Sequence, residues 1–355
     1  MYAEFDERET GRAVLAPRAG RRPRGRSFGA AAAAIALPLA VVLLAALLLA
    51  GCSSREKSYR FVLRHNAPPE QPQHRALLHV ADLLNTWTNG RIQLVVLPRV
   101  SIPGQLDDIA NGSDELGMTG MGGLADYYPP AMVFEAPYMF RDLDHFYHTV
   151  ESPTGRRILA QIEQRSRLHV IEVWHQGIRQ VTLRDEPATT PEEFGRIRLR
   201  IPMSTMYVEA ARVLGALPTT LGFSNVYVAL RAGAIDAEEN PLSTIRAMRF
   251  NEVCRYLVLT SHMISTIVPV MGNRTWSSLS PEDQALVTRA FREGGAYNRR
   301  IIEQEERRLV EEFAAQGMIV LRPDLAVFRT RARQSWRRFE DIWGPSLVQQ
   351  IQAVR

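Results

Sequence analysis

Apolar positions along this chain switch between two spacings. Tyr59 to His65 alternates apolar and polar residues, the pattern of a half-buried strand. A Pro-rich loop, A-P-P-E-Q-P-Q-H, follows. His74 to Thr88 then sets Leu77, Leu78, Val80, Ala81, Leu83 and Leu84 at helical spacing. Asn89-Gly90 predicts a turn, Arg91 to Leu97 a second strand, and Leu116 to Gly120 a third, which ends in M-T-G-M-G-G-L. Leu168 to Trp174 reads as another strand. Strand–helix–strand order in short units predicts an α/β fold with a parallel sheet.

The same patterns continue through the second half. In E-F-G-R-I-R-L-R-I-P, Arg200 ends an alternating run that Pro202 stops. Ala234 to Ala237 reads as the next strand of this region, with Asn240 at its end before Pro241, which holds the preceding residue extended. Two short amphipathic helices and a strand lie between, Ser224 capping the helix Asn225 to Arg231 and Gly233 stopping it. Tyr256 to Thr260 and Ser265 to Met271 read as two strands, and Cys254 falls in a helix-like run from Ala247 to Tyr256. Ser280-Pro281-Glu282-Asp283 is a helix start with a capping Ser, Pro at the first position and acids in the first turn. Helical spacing then runs to about Gln316, roughly 50 Å. So long a helix exceeds one small lobe, and Gly294-Gly295 is its expected bend. Gly317 to Leu321 is a last strand, before two amphipathic helices.

Two Arg-bearing and amide-bearing strand ends in one sheet make a candidate anion-binding corner. Ligands of open α/β sheets sit at strand ends. Arg200 supplies a planar, always-charged pair of donors that matches a carboxylate. Asn240 supplies an amide. Trp174, Met203 and Tyr207 are further candidates to line a pocket, and Thr119 to Gly123 is expected to face it.

Residues 1–51 change the picture from a free protein to a tethered one. Arg18, Arg21, Arg22, Arg24 and Arg26 precede an apolar run from Gly29 to Ala50, then L-A-G-C and the polar S-S-R-E-K-S. That order is similar to a bacterial lipobox, in which Cys52 is lipidated and becomes the mature N-terminus. An uncleaved membrane anchor is the alternative, since the 22 apolar residues from Gly29 to Ala50 can span a bilayer. Both place residues 53–355 outside the cytoplasm. The net charge of +5 looks basic, but seven Arg and four acids precede Cys52, which leaves +2 for the rest. A nearly neutral mature chain gives no reason to invoke nucleic acid. With Cys52 lipidated, Cys254 has no disulfide partner.

The run L-R-I-P…G-A-L-P…F-S-N-V-Y-V-A-L-R-A-G-A-I-D-A-E-E-N-P, from Leu199 to Pro241, resembles the solute-binding proteins of TRAP transporters. The N-G-R-I-Q-L-V-V-L-P strand and V-F-E-A-P-Y-M-F-R-D (Val133 to Asp142) fit the same family, and S-I-P-G-Q-L-D-D-I-A-N-G is several residues shorter than its usual loop. The resemblance implies a two-lobed periplasmic binding protein fold with a long helix bridging the lobes. It implies lobes at 53–177 with 266–305 and at 178–265 with 306–355, the helix at about 281–316 spanning both. It also implies capture of an organic acid, and delivery to a permease with a small and a large membrane subunit. Arg179, in the crossover Gly177-Ile178-Arg179-Gln180, matches an Arg that helps hold the carboxylate in some members, and Phe223 matches a pocket aromatic. A binding protein for an ATP-driven importer or a signalling receptor is the alternative.

Enzyme signals are poor. His145 and His148 lie three apart beside Asp142 and Asp144, which reads as a solvated helix start. There is no H-E-x-x-H, no G-x-S-x-G elbow and no phosphate loop. No metal and no cofactor are expected.

Overall fold

One 17-residue strand carries both halves of the sheet. The protein is described as a computed structural model over residues 57–100 and 103–355. The expected export segment 1–51 and the expected lipidation site Cys52 lie outside these residues. The strands are β1 (Tyr59–Arg64), β2 (Ile92–Leu97), β3 (Leu116–Thr119), β4 (Leu168–Val170), β5 (Trp174–Leu183), β6 (Arg198–Ile201), β7 (Leu217–Thr220), β8 (Ala237–Pro241), β9 (Tyr256–Gly272) and β10 (Ile319–Leu321). Their order is β2-β1-β3-β9-β5-β8-β6-β7, with β4 and β10 also on β9.

Parallel pairing holds toward each edge of the sheet: β1 with β2 and β3, and β6 with β7 and β8. The centre departs from the expected parallel sheet. β5 runs antiparallel to both β9 and β8. The end of β9 pairs with β3 and β4, its beginning with β10, and the stretch from Tyr256 to Ile267 with β5. β5 and β9 cross between the halves in opposite directions, so their pairing is antiparallel.

The two strands expected at 256–260 and 265–271 are therefore one. Their apparent break is a bulge, where the register jumps between Arg179↔Met263 and Val181↔Val258. Ser261 sits there at φ 44°. Its backbone N–H donates to Gln180 Oε1 at 2.8 Å, which replaces the ladder bond. A second shift falls at Gly177, at φ 138°, where a Cβ would meet Pro241. Glycine is required at that position.

Helices cover the sheet. The ones that matter for the site and its frame are α1 (Pro72–Trp87), α2 (Met121–Leu124), α3 (Leu143–Glu151), α4 (Thr205–Leu214), α5 (Val226–Ala232), α6 (Leu242–Ala247), α7 (Pro281–Ala315) and α8 (Leu325–Trp336). α5 begins after a 3-10 turn over Phe223–Asn225, and Ser224 makes no capping bond; Gly233 ends the helix at φ 70°, as expected. Cys254 lies in the turn before β9 rather than in a helix; it is a buried free thiol, pushed up to about 12 by burial.

α7 serves two cores. Its first half packs Val287 and Phe291 among Leu77, Val80, Leu84 and Ile92. Its second half packs Leu309 and Phe313 among Leu230, Ile245 and Phe250. Ser280 caps it by accepting from Asp283 N–H at 3.1 Å. The helix runs unbroken through Gly294-Gly295. Those glycines admit Trp174, whose indole Nε1 donates to Phe291 O at 3.1 Å. A Cβ at position 295 would stand 2.5 Å from that nitrogen, and one at 294 would strike Val80. Gly295→Ala is therefore expected to lower stability by about 1–3 kcal/mol through overpacking, although Ala favours a helix by about 1 kcal/mol. Thermal melting decides the sign, and a rise in melting temperature would remove the packing role.

The C-terminal segment, expected in the second lobe, bonds to both stretches of chain beside the cleft. Trp336 donates to Pro137 O at 3.0 Å and Gln352 to Met139 O at 2.6 Å, while Arg331 donates to Val213 O at 2.8 Å. His145 and His148, at α3, serve that tail. His145 Nε2 lies 2.9 Å from Ile351 O, and His148 Nδ1 lies 2.9 Å from Arg355 O.

Candidate functional site

β6 is short because Pro202 follows it, so Arg200 sits near its tip. Leu199 and Ile201 are buried in the core, and Arg200 is itself only 3% exposed. Its Nε and Nη2 donate to one acceptor, Leu221 O, at 2.9 and 2.6 Å. The Phe223 ring lies 5.8 Å away. No carboxylate among the described residues reaches ion-pair distance, and Nη1 has no hydrogen bond among them. Burial pulls its pKa below the usual range, because a desolvated cation lacks a full counter-charge. Buried charges are ordinarily paired, and this one has no carboxylate partner among the described residues.

Arg179 is the opposite case. On β5 it faces Glu239 of β8. Its Nε and Nη2 donate to the two Glu239 oxygens at 2.5 and 3.0 Å. Nη2 also donates to Glu239 backbone O at 2.6 Å and to Asn240 Oδ1 at 3.0 Å, and Nη1 donates to Ser265 Oγ at 3.2 Å. The Tyr207 ring lies 4.9 Å from the guanidinium. Burial works against the Arg179 charge, but Glu239 outweighs it and lifts its pKa. Burial likewise works against the Glu239 charge; Arg179 and the neighbouring His262, 3.1 Å away, hold it below the usual carboxylate range. Next to it, Glu238 is raised to about 7 by burial. Glu238 accepts from Thr182 Oγ1 at 2.5 Å and from Asn240 Nδ2 at 2.6 Å.

Both arginines border a cavity of about 400 Å³. Arg179, Arg200, Phe223 and Asn240 line it from one side; Asn66, Gln71, Gln73, Thr119 and Gly120 line it from the other. Beyond it opens a cleft of about 630 Å³ that shares Gly120, Glu135, Pro202 and Tyr207. The cavity thus lies at the bottom of a groove between residues 120–135 and 202–208. Among the described residues no cluster of three or more His, Cys, Asp or Glu could hold a metal.

The sequence matches the family model for bacterial extracellular solute-binding protein, family 7 (DctP), over residues 63–341. This chain belongs to that family. It is 28% identical to the sialic acid-binding periplasmic protein SiaP of Vibrio cholerae over 78% of this chain and 86% of that one. It is 30% identical to a solute-binding protein of Roseobacter denitrificans over 83% and 91%. A crystal structure of that Roseobacter TRAP protein, with bound L-galactonate, superposes with a TM-score of 0.75 over 84% of this chain and 99% of that one at 28% identity. Another Roseobacter TRAP protein, with bound 3-deoxy-D-manno-oct-2-ulosonic acid, gives 0.79 over 84% and 100% at 25% identity. The expected family and its two-lobed α/β fold hold.

In this solute-binding protein the six predicted pocket residues divide. Arg200, Arg179, Asn240 and Phe223 come together around the cavity. Trp174 does not: it is 1% exposed and fills the notch over the α7 glycines. Met203 stands 91% exposed at the outer cleft, because Pro202 turns the chain out of the sheet before it. Asn240 lies within β8, not past its end, and both ends of its amide are already bonded to Arg179 and Glu238. Glu135, Glu239 and Ser265 were missed. A lone acid inside the apolar V-F-E-A-P and two acids beside Asn240 were the available signals, since buried acids need a reason.

Proposed function

We propose that this protein captures a carboxylate-bearing organic acid between its lobes and hands it to a TRAP-type permease of one small and one large membrane subunit. The carrying observation is Arg200, a buried guanidinium that faces the cavity without a carboxylate partner. A carboxylate placed there makes paired, charge-assisted hydrogen bonds. Phe223 packs beside it, and Arg179 and Asn240 fix the wall rather than grip the ligand. The sialic acid, L-galactonate and octulosonic acid named for the relatives each carry a carboxylate. The lobes are 53–177 with 266–305 and 178–265 with 306–355. Closure is a hinge motion at the β5 and β9 crossings, favoured by ligand contacts on both sides. The protein works in the periplasm, held to a membrane by a lipid on Cys52.

The test begins with membrane extraction of the full chain, which is expected in the detergent fraction. Recovery in the aqueous fraction would overturn the anchor. Melting is then followed by tryptophan fluorescence against organic acids and uncharged sugars. A ligand at 100 times its Kd adds about 2.7 kcal/mol of stability. Stabilisation by uncharged sugars alone would overturn the carboxylate reading.

A further inference from the structure

We propose that the cavity selects a singly charged, polyhydroxylated acid and rejects dicarboxylates, with Glu135 as the residue that enforces the rejection. This rests on the organic-acid reading above and narrows it.

Two cations line the cavity, Arg179 and Arg200. Glu239 neutralises the first, so one guanidinium remains without a carboxylate partner. The groups still open elsewhere include two buried acceptors, on Glu135 and Gln73, beside the amides of Asn66 and Gln176. Glu135 is 3% exposed and lines both the cavity and the outer cleft. Thr266 Oγ1 donates to its Oε1 at 2.8 Å, and Gly122 backbone N–H also bonds to its carboxylate. A carboxylate accepts about four hydrogen bonds, so acceptor sites stay free. Gln73 Oε1 is buried in the cavity wall and has no partner. Its Nε2 is spent on Gln71, whose own Nε2 donates to Thr244 Oγ1 at 3.3 Å.

An unpartnered buried acceptor is costly and is relieved by a donor. Ligand hydroxyls both donate and accept, whereas a second carboxylate only accepts. Burial already raises the Glu135 pKa, so a second carboxylate beside it would add to the cost of negative charge in a site with one unpaired guanidinium. An α-amino acid carries its ammonium next to its carboxylate, against Arg200, where a second cation is disfavoured. A chain of hydroxyls ending in one carboxylate fits all the open groups.

The experiment is calorimetric titration of the detergent-purified full chain with four- to six-carbon aldonates and hexuronates, with succinate and other dicarboxylates, and with α-amino acids. At least one sugar acid is expected to bind 100-fold or more tighter than every dicarboxylate. Glu135→Gln keeps the shape and removes the charge, and is expected to narrow that ratio at least tenfold. A wild-type protein that binds a dicarboxylate or an amino acid as tightly as any sugar acid would overturn the inference and leave the organic-acid reading standing. An unchanged ratio in a folded Glu135→Gln variant would remove Glu135 from it. Binding of uncharged sugars alone would defeat both. Should the variant fail to fold, the wild-type ratio still decides the ligand class.

Discussion

Arg200→Ala is expected to abolish acid binding while the chain stays folded. The lost interaction is a charged pair in a desolvated pocket, worth about 2–5 kcal/mol in binding. That is a drop in affinity of roughly 30- to 4000-fold. Stability should change little. The side chain gives up two hydrogen bonds to Leu221 O, about 1 kcal/mol. Against this, a buried cation with no counter-charge is removed. Arg200→Lys should restore only part of the affinity, because an ammonium cannot span both carboxylate oxygens. Titration and melting of each variant check both halves. Unchanged affinity in Arg200→Ala would end the clamp.

Arg179→Ala should do the reverse of what its position in the pocket suggests. It strands the Asn240 oxygen without a donor and leaves the buried Glu239 carboxylate without its charged partner, with only His262 beside it among the described residues. Removing one partner of a buried pair costs about 3–5 kcal/mol. For a chain of this size the melting temperature should fall by roughly 6–20 °C. Reduced affinity would follow from the disordered wall. The paired change Arg179→Met with Glu239→Gln should recover stability beyond the sum of the single effects, since the two side chains touch. A variant Arg179→Ala that melts like wild type but has lost its ligand would return Arg179 to the clamp.

The contrast between the two arginines shows where sequence reasoning stopped. Both sit on strands and both border the cavity, and their residue type alone gives them the same role. The register of β5 on β8 separates them: it sets Arg179 against Pro241 and Gln180 against Asn240, and leaves Glu239 within reach of the guanidinium. No local pattern encodes that register. The long helix was legible to within a residue because its signals are local: a Ser-Pro-Glu-Asp start and unbroken helical spacing. β9 was not, because its bulge at Ser261 is imposed by Gln180, a residue far off in sequence. Gly294-Gly295 was noticed as an expected bend; its packing use became clear only with Trp174 against it. The cavity's acid, Glu135, escaped notice because it looked like an interruption in an apolar turn.

The shared strand β9 also governs when the molecule can take shape. Leu116 finds its neighbour in Met271, and Trp174 finds its own in Ile267. A chain delivered from its N-terminus must therefore hold β3, β4 and β5 without their central partner until residues 256–272 arrive. Contacts so distant in sequence form slowly. For a member of an extracellular family, that delay is useful. Under the proposed export, a polypeptide threaded across a membrane would have no complete sheet to close upon until nearly three-quarters of its length was through.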